Sequence, residues 1–159
     1  MTRSNPYKIL SVFFVCLLLC SCKASKTVAS RQADEVVSFA MQFQNTPYRY
    51  GGATPQGFDC SGYVQYVYRK FGYPLPRTAS EQMRRGLNVK DQNLKPGDLV
   101  FFKGSNLKSR TAGHVGIVVQ SRKKGQFLFI HASSRGVRMD DSQQAYYRSR
   151  YICAKRIIY

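Results

Sequence analysis

The chain is poor in acidic residues, and its cysteines offer little scope for cross-linking. Only 8 aspartates and glutamates stand against 25 lysines and arginines in 159 residues, for a formal net charge of +17. Such an excess favours a polyanionic neighbour. Of the five cysteines, Cys16, Cys20 and Cys22 crowd the N-terminus, leaving Cys60 and Cys153 for the rest of the chain. A disulfide framework of the kind that staples small secreted domains is therefore excluded. No Cys-x-x-Cys spacing occurs, so the common paired-ligand zinc signature is missing. Histidine is scarce too, with His114 and His131 alone. Internal repeats and low-complexity tracts are absent. The length allows one domain with a real core and not comfortably two.

Arg3 and Lys8 form a basic n-region ahead of the apolar run Ile9 to Leu19. That run is too short for a comfortable membrane span and reads as an export signal. It ends in Leu19-Cys20-Ser21-Cys22, which resembles a lipobox. Cys22 is the expected lipidation site because small Ser21 precedes it, whereas bulky Leu19 precedes Cys20 and Val15 precedes Cys16. The organisation expected is a lipoprotein signal peptide over 1–21, a polar tether over 22–30, and one domain over 31–159. Such a chain is expected to be a bacterial envelope lipoprotein, anchored in the outer membrane and facing the periplasm. Export argues against nucleic acid as the polyanion, and anionic lipid near the anchor is one account of the charge.

From about Arg31 the helical spacing Ala33, Val36, Val37, Ala40, Met41 and Gln44, with apolar residues on one stripe, predicts a helix. Pro47 and Gly51-Gly52 break it. A second helix is expected from Cys60, capped by Asp59, with Val64, Val67 and Phe71 buried and Gly72 closing it. Thr78-x-x-Glu81 is a capping box for a short third helix. After Pro96-Gly97 the chain turns to β-branched and aromatic runs. They are Leu99–Phe102, His114–Val119, Gln126–His131, Gly136–Met139 and Tyr151–Tyr159. Helices first and strands later imply an α+β fold with a mostly antiparallel sheet.

A cysteine at the first turn of a helix meets unpaired N–H groups and the helix dipole, which favour its thiolate. Cys60 is so placed. A strand-borne histidine facing it, oriented by a third polar group, would complete a triad of the general type. The plainer reading is a small core cysteine and packed histidines.

Six local motifs occur in order: Tyr48-Arg-Tyr-Gly-Gly52, Asp59-Cys-Ser-Gly62, Leu75-Pro-Arg-Thr78, Pro96-Gly-Asp-Leu-Val-Phe-Phe102, His114-Val-Gly-Ile117 and His131-Ala-Ser133. Together they resemble the NlpC family of cell-wall cysteine peptidases, particularly its small lipoprotein murein endopeptidases, over roughly residues 34–159. The resemblance implies a papain-like α+β fold, with Cys60 as nucleophile, His114 as general base and His131 as its orienting partner. It implies that Tyr48 and the backbone around Ser61 help hold an oxyanion, and that Arg77 and Ser80 face the cleft, where a structural role is an equal alternative. Asp59 is expected to be a cap rather than an acid catalyst. Gly51 and Gly52 would serve a tight turn, Gly113 and Gly116 would let the base strand lie against the helix, and Cys153 would be buried and inert. The Ser121–Gly125 segment should widen a hairpin without moving either histidine. The implied substrate is the peptidoglycan stem peptide, cut at a D-glutamyl–diamino acid or D-alanyl–diamino acid bond by a monomer without cofactor or metal. Two rival readings are a zinc site built from Cys60, His114 and His131, and a lipoprotein that binds murein without cutting it.

Overall fold

A computed structural model describes residues 28–159. The export segment, Cys22 and most of the tether lie outside the described residues. Helix α1 occupies residues 28–41, so the last three residues assigned to the tether are already helical. Val36 and Ala40 form its buried stripe, and Gln44 falls in the turn beyond it. Among the described residues no helix is long and apolar enough to cross a membrane.

Helix α2 runs Cys60–Lys70. Asp59 is its N-cap, in extended conformation (φ −90°, ψ 174°), accepting from the Gly62 N–H at 2.7 Å. At the other end Gly72 adopts φ +83°, where a side chain would be strained. There the Gly72 N–H reaches the Arg69 carbonyl and the Tyr73 N–H the Tyr68 carbonyl, which is a Schellman closure. Helix α3, Ala79–Gln82, opens with the expected Thr78/Glu81 capping box. A small ribbon, β1 (Ala53–Thr54) and β2 (Gly57–Phe58), precedes α2.

The main sheet holds β3 (Leu87–Val89), β4 (Leu99–Phe102), β5 (His114–Ser121), β6 (Phe127–Ser133), β7 (Gly136–Asp141) and β8 (Tyr151–Arg156). Its order is β3-β8-β4-β5-β6-β7, antiparallel at each pairing. The short helix α4, Ala145–Arg148, links β7 to β8. This is the expected α+β architecture. Ribbon β1–β2, strand β3 and helix α4 were not foreseen, because each is too short to carry a period.

Alternation along the strands divides the core into two layers. Leu99, Phe101, Val115, Ile117, Ile130 and Ala132 pack with Val64, Val67, Tyr63 and Tyr68 of α2. Val100, Phe102, Val118, Phe127, Phe129 and Ala154 form a second cluster, covered by Tyr147 of α4. Val64 and Val67 are fully buried as expected, and each such side chain stabilises the fold by roughly 1.5–3 kcal/mol. Phe71 is half-buried at the helix end, edge-on to Phe39.

Other expectations change. Cys153 is half-buried rather than buried, beside the irregular pairing between β4 and β8. Gly116 does not make room for α2: a Cβ there would meet the Phe129 ring at 2.6 Å, on the opposite face. A Cβ on Gly113 would likewise meet the Gly104 Cα, at 2.6 Å. The β5–β6 hairpin closes through a 3-10 turn, Lys123–Gly125, at the end of β5 far from His114.

Candidate active site

The start of α2 is held by a loop pressed onto it. The Asp59 N–H donates to the Gly52 carbonyl at 3.0 Å, and a Cβ on Gly62 would sit 2.1 Å from that same oxygen. Side chains are excluded by backbone contact, so glycine is required at this approach. Asp59 is saturated: Gly51 N–H donates to Oδ2 at 3.0 Å, and Arg77 reaches both oxygens, at 3.0 and 2.5 Å. Burial pushes the Asp59 carboxyl up, but the hydrogen bonds from Arg77, Gly62 and Gly51 and the Arg77 charge outweigh it, leaving it below its ordinary value. Asp59 is thus the cap and anchor expected.

Arg77 also donates to the Ser61 hydroxyl at 3.1 Å. Its guanidinium is therefore occupied within the helix-start cluster, and the structural alternative for it is the one these contacts favour. Ser61 is buried, and its carbonyl accepts from Gln82 at 3.0 Å. Ser80 is half-buried on α3 and is not in the wall of the histidine cleft.

Cys60 is the first residue of α2 and is partly exposed. Its thiol is not depressed as the helix start suggests. Burial pushes its pKa up, and the Asp59 carboxylate beside it pushes further. The N–H groups of Val115, Ser61 and Cys60 itself act in the opposite direction and are outweighed. The cap that fixes the helix start thus works against the thiolate. The Val115 contact places the sulfur against the residue that follows His114. Among the described residues no hydrogen bond joins the thiol to either histidine.

The two histidines are joined directly. His114 Nε2 lies 2.8 Å from His131 Nδ1, with the rings perpendicular. His131 is fully buried among Phe129, Tyr147 and His114. Its Nε2 lies 2.9 Å from Asp140 Oδ2. Tyr147 donates its phenol hydrogen to that oxygen at 2.8 Å, while Gln144 donates to Oδ1 at 3.1 Å. Arg138 completes the shell with an ion pair to Oδ1 at 3.1 Å. Burial pushes both imidazoles toward the neutral form; the neighbouring histidine adds to this at His114, and Asp140 opposes it at both. Burial pushes Asp140 up, but the hydrogen bonds of His131, Tyr147 and Gln144 hold it well below the carboxylate range.

A cleft of about 570 Å³ opens on this dyad, with Tyr48, Arg135 and Tyr146 also in its wall. Tyr48 is 39% exposed. Burial, then the charges of Cys60 and Asp59, raises its phenol, which therefore remains a donor at neutral pH. Among the described residues no group of three or more His, Cys, Asp and Glu side chains is arranged to hold a metal ion.

The sequence reading missed Asp140, Tyr147 and Gln144. A signal for Asp140 was present. The tight turn before Gly136 sets Phe129 opposite Asp140 and His131 opposite Arg138. Diagonal neighbours on one face of such a pair are in reach of each other, so the hairpin alone brings Asp140 to His131.

A helix-start cysteine packed on an antiparallel sheet that carries a histidine dyad is the papain-like arrangement. Residues 45–156 match the model of the NlpC/P60 family, and the chain belongs to that family. It is 42% identical over 113 residues to the murein DD-endopeptidase MepS/murein LD-carboxypeptidase of Escherichia coli K12, covering 70% of this chain and 55% of that one. The chain thus spans about half the length of that relative. It is 35% identical over 156 residues to the probable endopeptidase NlpC of the same organism, covering 92% of this chain and 97% of the relative. The crystal structure of an NlpC/P60 family protein from Bacillus cereus superposes with a TM-score of 0.71 at 29% identity, over 80% of this chain and 40% of that one.

Proposed function

We propose that the protein is a cysteine peptidase that hydrolyses amide bonds in peptidoglycan stem peptides. The observation that carries this is the His114–His131 hydrogen bond beside the Cys60 helix start, in a chain of the NlpC/P60 family. Similarity to relatives named for murein endopeptidase activity supports the substrate class. The bond cut joins a D-alanyl or D-glutamyl residue to the diamino acid.

His114 takes the Cys60 proton as the sulfur attacks the scissile carbonyl. The oxyanion is held by backbone N–H groups at the start of α2, around Ser61, and by the Tyr48 phenol; one such donor is worth about 3 kcal/mol in the transition state. The intermediate collapses to a thioester as His114 protonates the leaving amine. Water, deprotonated by His114, then releases the acid and restores the thiol. His131 holds the imidazole in place.

Lipidation at Cys22, an outer-membrane position facing the periplasm, and action as a monomer belong to the same proposal. They rest on the N-terminal motif and on composition. The decisive experiment is mass spectrometry of purified muropeptides after incubation with the protein and with Cys60→Ala. New amine and carboxyl termini at one bond, absent with the variant, are expected. Activity that survives Cys60→Ala, or that a chelator removes, would put a metal site in place of the peptidase. Tight murein binding without cleavage would leave a binding lipoprotein.

A further inference from the structure

Asp140 is a carboxylate only 4% exposed, on a strand the proposed chemistry does not otherwise use. It has more donors than helix caps or ion pairs normally supply: the His131 ring, the Tyr147 phenol, the Gln144 amide and the Arg138 guanidinium. A buried charge so completely hydrogen-bonded persists as a charge. It also dictates where protons sit. An ionised carboxylate only accepts, so the His131 nitrogen 2.9 Å from it must carry hydrogen. Neutral His131 then has a bare Nδ1. The 2.8 Å contact with His114 therefore has His114 Nε2–H as donor. Neutral His114 in turn is left with a bare Nδ1. The reverse pair of tautomers would set a lone pair of His131 against the carboxylate.

We infer that Asp140 is a positioning residue: acting through His131, it fixes the His114 tautomer and leaves Nδ1 as the one nitrogen of that ring able to take a proton. Tyr147 and Gln144 hold the carboxylate for this task. The inference rests on the peptidase reading. It adds a member one step beyond the orienting histidine, contributed by β7 and braced by α4. The charged and titratable groups facing His131 are His114 from β5, Asp140 and Arg138 from β7, Arg135 from the β6–β7 turn and Tyr147 from α4.

The test is Asp140→Asn in the full-length protein, assayed on muropeptides beside Cys60→Ala. An amide can donate to His131 Nε2 and so favours the reverse tautomers, which put the proton on His114 Nδ1. A carboxylate directly on a catalytic imidazole is worth roughly 10⁴-fold in kcat; one link further away, a fall on the order of 10²-fold is expected, with KM little changed. Loss of the negative charge should also move the acid limb of kcat/KM to lower pH, and Asp140→Glu should recover part of the rate. A merely structural role would move neither the limb nor the kcat–KM split. Nitrogen-15 NMR of the Cys60→Ala protein supplies a measurement that does not need the Asp140 variant to fold. It should find His114 protonated at Nε2 and bare at Nδ1. The opposite tautomer overturns the inference, as does wild-type kcat and pH profile in Asp140→Asn while Cys60→Ala is dead. Cleavage by Cys60→Ala would instead remove the peptidase reading and this inference with it.

Discussion

The two faces of the central sheet are built from the same alternating strands but do different work. The α2 face is aliphatic and tyrosine-rich, and it anchors the helix that carries Cys60. The opposite face is half aromatic and carries, at its end, the line from half-buried His114 to buried His131 and Asp140. A polar chain survives inside that layer because each member satisfies the next. On the proposed mechanism, one face fixes where the nucleophile stands, and the other fixes the protonation of its base.

The sharpest break of that comparison uses one substitution per face. Val67→Asp places an unpaired carboxylate in the fully buried α2 layer; at several kcal/mol against a total stability of about 5–15 kcal/mol, it should leave little cooperative unfolding in a circular-dichroism melt. A wild-type melt would show that the helix face is misassigned. On the far face the Phe129 ring lies tilted against His131 at 4.9 Å and meets Tyr147 edge-to-face at 4.9 Å. Phe129→Leu should lower stability by only about 1 kcal/mol yet reduce kcat clearly, whereas Val67→Ala should cost about 2 kcal/mol with kcat retained. Equal kinetic effects from the two faces would erase the distinction.

Within the site, Cys60→Ala and His114→Ala should each abolish muropeptide cleavage, and the double variant should be scarcely worse, because members of a catalytic unit are not additive. His131→Ala should lose less. Additive losses would mean that the residues act separately.

Smaller effects should follow pH. His114 and His131 both titrate below their ordinary value because burial favours the neutral ring. The stability they confer is then fully present above the unfolded histidine value of about 6.5 and drains as pH falls below it, by at most about 1.4 kcal/mol per pH unit for each ring. His114→Gln should therefore flatten the denaturant-midpoint profile on the acid side. An unchanged profile would contradict burial of that ring.

The smallest effect distinguishes the two cysteines. Both thiols are pushed up, Cys60 by burial and Asp59, Cys153 by burial opposed by Lys155. Iodoacetamide labelling of resting Cys60 should therefore climb through alkaline pH, and Asp59→Asn should shift that climb to lower pH. A plateau already reached below neutrality would indicate a preformed thiolate.

Much of this was legible beforehand. The Asp59 cap, the Thr78 box and the closing Gly72 are local signals read from neighbouring residues, and the structure follows them. The strands β4 to β8 were visible through their apolar runs. What escaped was non-local or a matter of balance. Strand β3 exists because β8 offers it an edge, and no period announces it. The Cys60 pKa depended on whether helix N–H groups outweigh burial and a neighbouring carboxylate, which sequence spacing cannot weigh. The sequence leaves Arg77 open between the cleft and a structural role, because its commitment to Asp59 crosses 18 positions. Asp140 needed the register of one hairpin.

Strand β8 lies between β3 and β4, and so the final strand in sequence is an interior strand of the sheet. Partial chains lacking it would present two unpaired edges, one on β3 and one on β4. Sheet completion is therefore a late, long-range event, of the kind that makes folding slow relative to local helix formation. Closing this sheet therefore means that β8 must reach back across the sequence to both β3 and β4.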